Sequence, residues 1–351
     1  MSFRILMLTT FLTIFKISGP EEGFTLEWVE DHPIEKLIEI IHVEKPLQYK
    51  NLTIFPLSLK KYGDKIHYLT LDEAVRRGDL MITELGDGIV NEVLAQNNSK
   101  HYVFLMTGEL ITGSKQDRMV SYDCLLPPQS RKVRLQVYCI EQGRWTQESK
   151  YFDSIGESAH IRMRELARVT KSQDRVWREV ERKRYSLKVE PSPTQAFSKI
   201  LEDKDVQTNI QPYYDELSRV PDIARNIYGV VAVAGDRILV CDLFSSPRVF
   251  EKLWPKLLRS YVLDVIDRPF HGGSPSRRKV RDFIRETLEA ETTRGETNGV
   301  GKAVEITSPS IFGSALIFKE KVVHLDLFPR RVIPLHDSSL DLNFRRQRSD
   351  K

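Results

Sequence analysis

Residues 37 to 145 are a succession of short apolar runs cut by turn residues, and a chain patterned this way must build strands before anything else. Ile38, Ile40 and Ile41 open the region, and the segment Asn51-Leu52-Thr53-Ile54-Phe55-Pro56-Leu57 follows. Further strand candidates come at 80–84, 91–96, 102–106, 119–126 and 133–141. Gly86-Asp87-Gly88, Asn97-Asn98-Ser99 and Pro127-Pro128 separate them with turn chemistry. One short helix interrupts the series. Thr70 fits its N-cap, Glu73 the capping-box position and Gly78 the stop. Strands at this spacing predict a sandwich or a barrel-like antiparallel layer.

Residues 156 to 220 switch to a helical pattern, charged and sparsely apolar, interrupted at Pro191-Ser192-Pro193. A strand pair at 227–234 and 237–242 surrounds the tight-turn signal Gly235-Asp236. Ser246-Pro247 opens a helix with proline at its first position. Phe250, Leu253, Trp254, Leu257, Leu258, Tyr261 and Val265 keep a helical period in it, up to Arg268-Pro269. Ser274-Pro275 opens a second helix through Phe283, Ile284 and Leu288, and strands at 303–306, 314–318 and 322–328 close the fold. Blocks of strands and helices, rather than strict alternation, predict an α+β protein. It comprises an N-terminal, mostly antiparallel β layer, then helices, then a C-terminal β-β-α-α-β-β-β unit whose strands extend the first sheet. The expected organisation is an N-terminal extension at 1–36, a β-rich part at 37–150, an α+β part at 151–335 packed on it as one compound domain, and a disordered tail at 336–351.

Charge and cysteine usage narrow the chemistry. The 351 residues carry a formal net charge of +4, too small to imply a nucleic-acid partner by itself. Between Arg162 and Lys188 there are ten Lys or Arg against four Asp or Glu. A helical run of mixed charge is ordinarily a solvated face, and no aromatic platform is interleaved with it. Nucleic acid is therefore not expected as a partner. The three cysteines argue against a disulfide framework and for a reduced interior, although Cys124 and Cys139 stand on runs that would face each other in a hairpin around Pro127-Pro128. No Cys-x-x-Cys or His-x-His spacing is present, so no metal site and no cofactor are expected. The apolar stretch from Ile5 to Phe15 has the length of a signal-peptide core but lacks a small-residue cleavage site after it. It is too short to span a membrane. The expected location is cytoplasmic, with export as the alternative.

Chemistry concentrates in two polar signatures. The first runs from Gly108-Glu109 through Gly113-Ser114-Lys115-Gln116-Asp117-Arg118, and the second is Cys139-Ile140-Glu141-Gln142-Gly143-Arg144-Trp145. Gly108 and Gly113 have phosphate-loop spacing, but Ser114 displaces the lysine and the segment leads into strand, so no phosphate cradle forms. No nucleophile elbow is present either. In the run 133–141, Val133, Leu135, Val137 and Cys139 share one face, and Glu141 continues it. A carboxylate on an apolar face needs a cation, and Lys115, Arg118 and Arg144 are the candidates. Glu109 follows another apolar run and is expected to join the same cluster. Glu109 and Glu141 are the candidate general acid or base residues. Lys115, Gln116, Arg118, Arg144 and Trp145 are the candidate ligand contacts. The competing reading is a network of ion pairs pinning strand ends. Gln173, Trp177 and His324 are expected to pack, His324 as a satisfied core histidine.

These signatures resemble the ARG and rhodanese-phosphatase-superfamily-associated protein domain family. Tyr49-Lys50-Asn51-Leu52-Thr53, Leu69-Thr70-Leu71-Asp72-Glu73-Ala74 and Trp254-Pro255-Lys256-Leu257-Leu258-Arg259-Ser260-Tyr261 carry the resemblance further, over roughly residues 40 to 330. Asp117 departs from the Asn expected in many members. The family has no assigned activity. The resemblance implies a role near ADP-ribose, NAD-derivative or phosphate-ester metabolism and carries over no catalytic residue. Three functions follow as expectations: an accessory module binding a nucleotide-like or ADP-ribosyl small molecule, a hydrolase or transferase using a glutamate base, or a structural, partner-binding protein. Whether the chain is an enzyme, and its oligomeric state, stay open at this level.

Overall fold

The computed structural model describes residues 32–330 apart from 61, 63–65, 225 and 269–272. The described residues begin with α1 (His32–Glu39), β1 (Ile41–Val43), β2 (Leu47–Tyr49), β3 (Leu52–Leu59), β4 (Tyr68–Thr70) and α2 (Leu71–Arg76). A run of strands follows: β5 (Leu80–Ile89), β6 (Glu92–Asn97), β7 (Tyr102–Leu105), β8 (Glu109–Gly113), β9 (Arg118–Val120), β10 (Cys124–Leu126), β11 (Val133–Cys139) and β12 (Phe152–Ser158). Four helices come next: α3 (Ile161–Thr170), α4 (Gln173–Ser186), α5 (Phe197–Glu202) and α6 (Lys204–Leu217). The last part holds β13 (Ile227–Ala234), β14 (Arg237–Phe244), α7 (Pro247–Leu263), α8 (Arg277–Arg285), β15 (Glu291–Arg294), β16 (Asn298–Gly299), β17 (Lys302–Thr307), β18 (Ile311–Phe318) and β19 (Lys321–Pro329).

The α+β class expected from the blocks is the one observed. The spine is an antiparallel sheet ordered β1-β3-β13-β14-β19-β18-β17-β15, with β2 also on β3. The C-terminal strands therefore extend a sheet begun at the N-terminus. Both of its faces are covered, which is why β13 and β14 bury nearly every residue instead of alternating. Ile54, Val230, Ala232 and Phe244 face the core shared with Phe250, Trp254, Leu257 and Tyr261 of α7. Phe55, Leu57, Val231, Leu243 and Leu325 face the other core, closed by Ile34 and Leu37 of α1 and Val280 and Ile284 of α8. Gly229 and Gly313 let neighbouring strands approach, since a Cβ at either would collide with the carbonyl oxygen of Asp242 or Asp326.

The predicted barrel-like layer is a closed six-stranded barrel, β11-β6-β5-β12-β8-β9, filled by Ile82, Val93, Ile111, Leu135, Val137 and Phe152. Closure leaves no unpaired edge. A small sheet, β16-β10-β7-β4, joins barrel to spine. Among the described residues no helix is long and apolar enough to cross a membrane.

Several local expectations change. Ile38 is helical, within α1, so strand begins only at Ile41. The run 119–126 splits: β9 stays in the barrel and β10 pairs with β7 in the small sheet, so Cys124 does not face Cys139. All three cysteines are free and buried. Gly86-Asp87-Gly88 is an irregularity inside β5 rather than its end, where the register with β6 shifts between Glu84 and Ile89. β12 escaped the sequence reading because Phe152-Asp153-Ser154-Ile155-Gly156-Glu157-Ser158 is largely polar. Only Phe152 fills the barrel, and helix begins at Ile161. The helix from Pro247 ends at Leu263, short of Arg268. The apolar segment before residue 20 and the tail after 330 lie outside the described residues.

Candidate functional site

Antiparallel pairing brings the two signatures together. β9 pairs with β8 on one side and with β11 on the other, Cys139 opposite Arg118. The end of β8, the start of β9 and the end of β11 therefore meet at one rim of the barrel. Gly113 (φ +99°) and Ser114 (φ +45°) make the left-handed turn out of β8. Glu141 then bridges to Ala196, and the Phe197 N–H donates to the Ile140 carbonyl at 2.9 Å, which lays α5 against the rim.

Glu141, two residues past the end of β11, is buried, and the cation it needs is Arg144. Arg144 Nη2 and Nε donate to Glu141 Oε2 at 2.6 and 3.0 Å. Its Nη1 donates to the carbonyls of Ser114 (2.7 Å) and Thr146 (3.1 Å), and Nη2 reaches Asp117 Oδ1 at 3.4 Å. The guanidinium is thus fully engaged with protein acceptors. Asp117 completes the cluster: its Oδ2 accepts from Ser198 Oγ at 2.7 Å, and its N–H donates to Glu141 Oε2 at 3.0 Å. The two carboxyls are driven apart in acidity. Burial raises Asp117, more than its Ser198 hydrogen bond lowers it, and the charge of Glu141 adds to the rise. Burial would also raise Glu141, but the hydrogen bonds from Arg144 and the Asp117 N–H hold it below the ordinary carboxylate value.

Asp117, Glu141, Arg144 and Ser198 line one side of a cavity of about 680 Å³ between the barrel rim and α5. Tyr151 and Ile155, 43% and 40% exposed, line it as well. Glu148, Asp153 and Glu202 add three carboxylates to its wall, against Lys199, which is paired with Glu202 at 2.6 Å. The cavity is acidic.

The other nominated residues lie elsewhere. Gln116 braces the rim from behind: its Nε2 donates to the Glu141 carbonyl at 2.8 Å, and its Oε1 accepts from Arg118 Nη1 at 3.0 Å. Arg118 has no exposed surface and does not line the cavity. Lys115 bonds the Asp87 carbonyl, and its Nζ lies 5.3 Å from the Trp145 ring. Trp145 is 47% exposed, outside the cavity.

Glu109 does not join Glu141. Its Oε1 accepts from Lys256 Nζ of α7 at 2.6 Å and its Oε2 from the Met106 N–H at 2.7 Å. Lys256 also contacts Asp72 at 2.5 Å. Burial would lower Lys256, but Glu109 and Asp72 together raise it, so it stays charged. This cluster ties α7 to α2 and the barrel.

Sequence reasoning passed over Asp117 and Ser198 as cavity residues. The signal for Asp117 was its place in the loop after Gly113; Ser198 had none, because only folding brings α5 to the rim. His324 is buried in the spine as a core histidine, as expected, and its partners are charged: its Nδ1 meets Asp123 at 2.6 Å, and its Nε2 lies 3.4 Å from Asp242. Asp242 stands opposite Asp326 across β14 and β19, and Arg164 of α3 bridges them at 2.6 and 3.6 Å. Gln173 packs as expected, clasping both Cys139 N–H and carbonyl at 2.8 and 2.7 Å. In the basic run of α4, Arg182 pairs with Glu179 and Arg184 with Glu181, while Lys183 reaches Asp267 at 2.9 Å.

A family model described as ARG and Rhodanese-Phosphatase-superfamily-associated Protein domain matches residues 40–328. No curated protein and no solved structure matches the chain.

Proposed function

We propose a ligand for a chain that belongs to the ARG and Rhodanese-Phosphatase-superfamily-associated Protein domain family: the ribosyl part of an ADP-ribosyl or NAD-derived compound, bound in the acidic cavity. The observation that carries this reading is the pair of carboxyls of opposed acidity, Asp117 and Glu141, facing one cavity. Ribose hydroxyls are donors, and carboxylates accept them. Tyr151 and Ile155 offer an exposed aromatic and an aliphatic surface on which a base can rest. The volume suits a small molecule. Phosphate is disfavoured here, because Arg144 is already engaged and the remaining wall is mostly carboxylate, so the diphosphate of such a ligand points outward.

Hydrolysis or transfer at the ribosyl bond is the second reading, favoured by the same opposed acidities. Asp117 gives its proton to the leaving atom as the bond to the ribosyl carbon breaks. Glu141 takes a proton from the incoming water or acceptor. Glu109 has no part in it, since Lys256 and the Met106 N–H occupy its carboxylate.

Calorimetric titration with ADP-ribose and adenosine tests the binding reading. Both should bind, and Asp117→Asn and Glu141→Gln should each weaken them by about tenfold, the worth of one charge-assisted hydrogen bond. Absence of binding by both ligands, or affinity unchanged in both variants, overturns it. Release of ribose or ADP-ribose from a conjugate, lost in Asp117→Asn while binding persists, would establish the second reading.

A further inference from the structure

We propose a second ligand site on the outer side of the Gly113–Asp117 loop: a small-anion site in which Arg118, roofed by Trp145 and flanked by Lys115, takes a phosphate or carboxylate group. Arg118 is fully buried, yet its Nε and Nη2 donate to no acceptor among the described residues. Only Nη1 is bonded, to Gln116 Oε1 and, at 3.5 Å, to the Asp117 carbonyl. Nε and Nη2 share one edge of the guanidinium, and that edge is the fork that grips an oxyanion with two parallel hydrogen bonds. A buried cation with an unfilled edge is costly to maintain, and an oxyanion satisfies both donors at once.

The surroundings fit this occupant. Glu84 is the carboxylate nearest in reach, its Oε1 3.9 Å from Nη2, beyond hydrogen-bond length. Asp117 adds a second carboxylate and Arg144 a second cation, while Lys115, bonded to the Asp87 carbonyl, lies against the same Trp145 ring. Ser114 Oγ, in the same loop, is buried and also unpartnered among the described residues. The roof is a single ring. Trp145 lies 5.9 Å from Arg118 Cζ and 5.3 Å from Lys115 Nζ, and its half-exposed ring is held by these weak cation–π contacts. Entry of the anion requires this ring to move, which its own fluorescence reports. This inference is independent of the cavity reading, since Arg118, Lys115 and Trp145 do not line the cavity.

Tryptophan fluorescence of the full chain, titrated with inorganic phosphate and with acetate at constant ionic strength set by chloride, tests the site. A saturable change with phosphate is expected. It should vanish in Trp145→Phe, where phosphorus NMR line broadening still reports binding. The midpoint should rise about tenfold in Arg118→Gln and about threefold in Lys115→Ala. No saturable change in the native chain, or midpoints unmoved in both charge variants, overturns the proposal. Should Arg118→Gln lose its native circular dichroism, Lys115→Ala, altered at a partly exposed position, decides alone. Tyr151→Ala, at the exposed wall of the cavity, should leave the phosphate midpoint unchanged, so failure of the cavity reading and failure of this one are separable.

Discussion

Arg144 is the side chain on which the rim depends. It satisfies one carboxylate from each signature and two loop carbonyls, all with little exposure. Removing a buried cation strands its partners, which costs about 3–5 kcal/mol, whereas removing both charges costs far less. Urea denaturation should therefore show Arg144→Met destabilised by about that amount, and the double variant Glu141→Gln/Arg144→Met should recover much of it. The need for this pair was legible, because period-two alternation put Glu141 on an apolar face. Which of three cations would meet it was not. Asp117 and Arg118 are neighbours whose side chains leave the strand in opposite directions, so one enters the cavity cluster and the other goes beneath Trp145. Chain direction at the loop decides that, and composition does not record it.

At the scale of elements, local signals worked where local chemistry suffices. Thr70 accepts from the Glu73 N–H and Glu73 returns a bond to the Thr70 N–H at 3.0 Å, the capping box read from three letters. Ser246 and Pro247 start α7 as expected. Signals failed where an element exists only because a neighbour completes it. β12 has one buried apolar anchor, Phe152, and stands because β8 and β5 supply its partners. α7 in turn is fastened to the barrel through Lys256 between Glu109 and Asp72. Lys256→Met should lower stability by about 3–5 kcal/mol, and Lys256→Met combined with Glu109→Gln should lower it less. Chemical denaturation of the two variants checks this, and equal losses in both would contradict the ion-pair account.

Across the whole molecule, the spine carries a charge network on the face that α3 and α7 cover. Asp242, His324 and Asp326 occupy that face of β14 and β19, met by Arg164 and Asp123. The imidazole joins the spine to the segment before β10, and Arg164 joins α3 to the same carboxylates. Burial alone would lower His324, but Asp123 and Asp242 raise it to about 9 from 6.5. A raised folded value means the stabilisation is complete below pH 6.5 and is lost as pH climbs through about 9. A shift of this size corresponds to about 3 kcal/mol. Denaturation at pH 6.5 and at pH 9.5 should differ by roughly that, and His324→Gln should flatten the difference.

The class of the fold, the capped helices, the free cysteines, the extension of the first sheet by the C-terminal strands and the rim at which polar groups gather all follow from near-neighbour periodicity, turn chemistry or composition. Closure of the barrel, the transfer of Glu109 to Lys256 and the bringing of Ser198 to Asp117 come only with the folded chain. These rest on contacts between residues far apart in sequence, where several pairings satisfy the same local pattern and only burial of the whole set selects one.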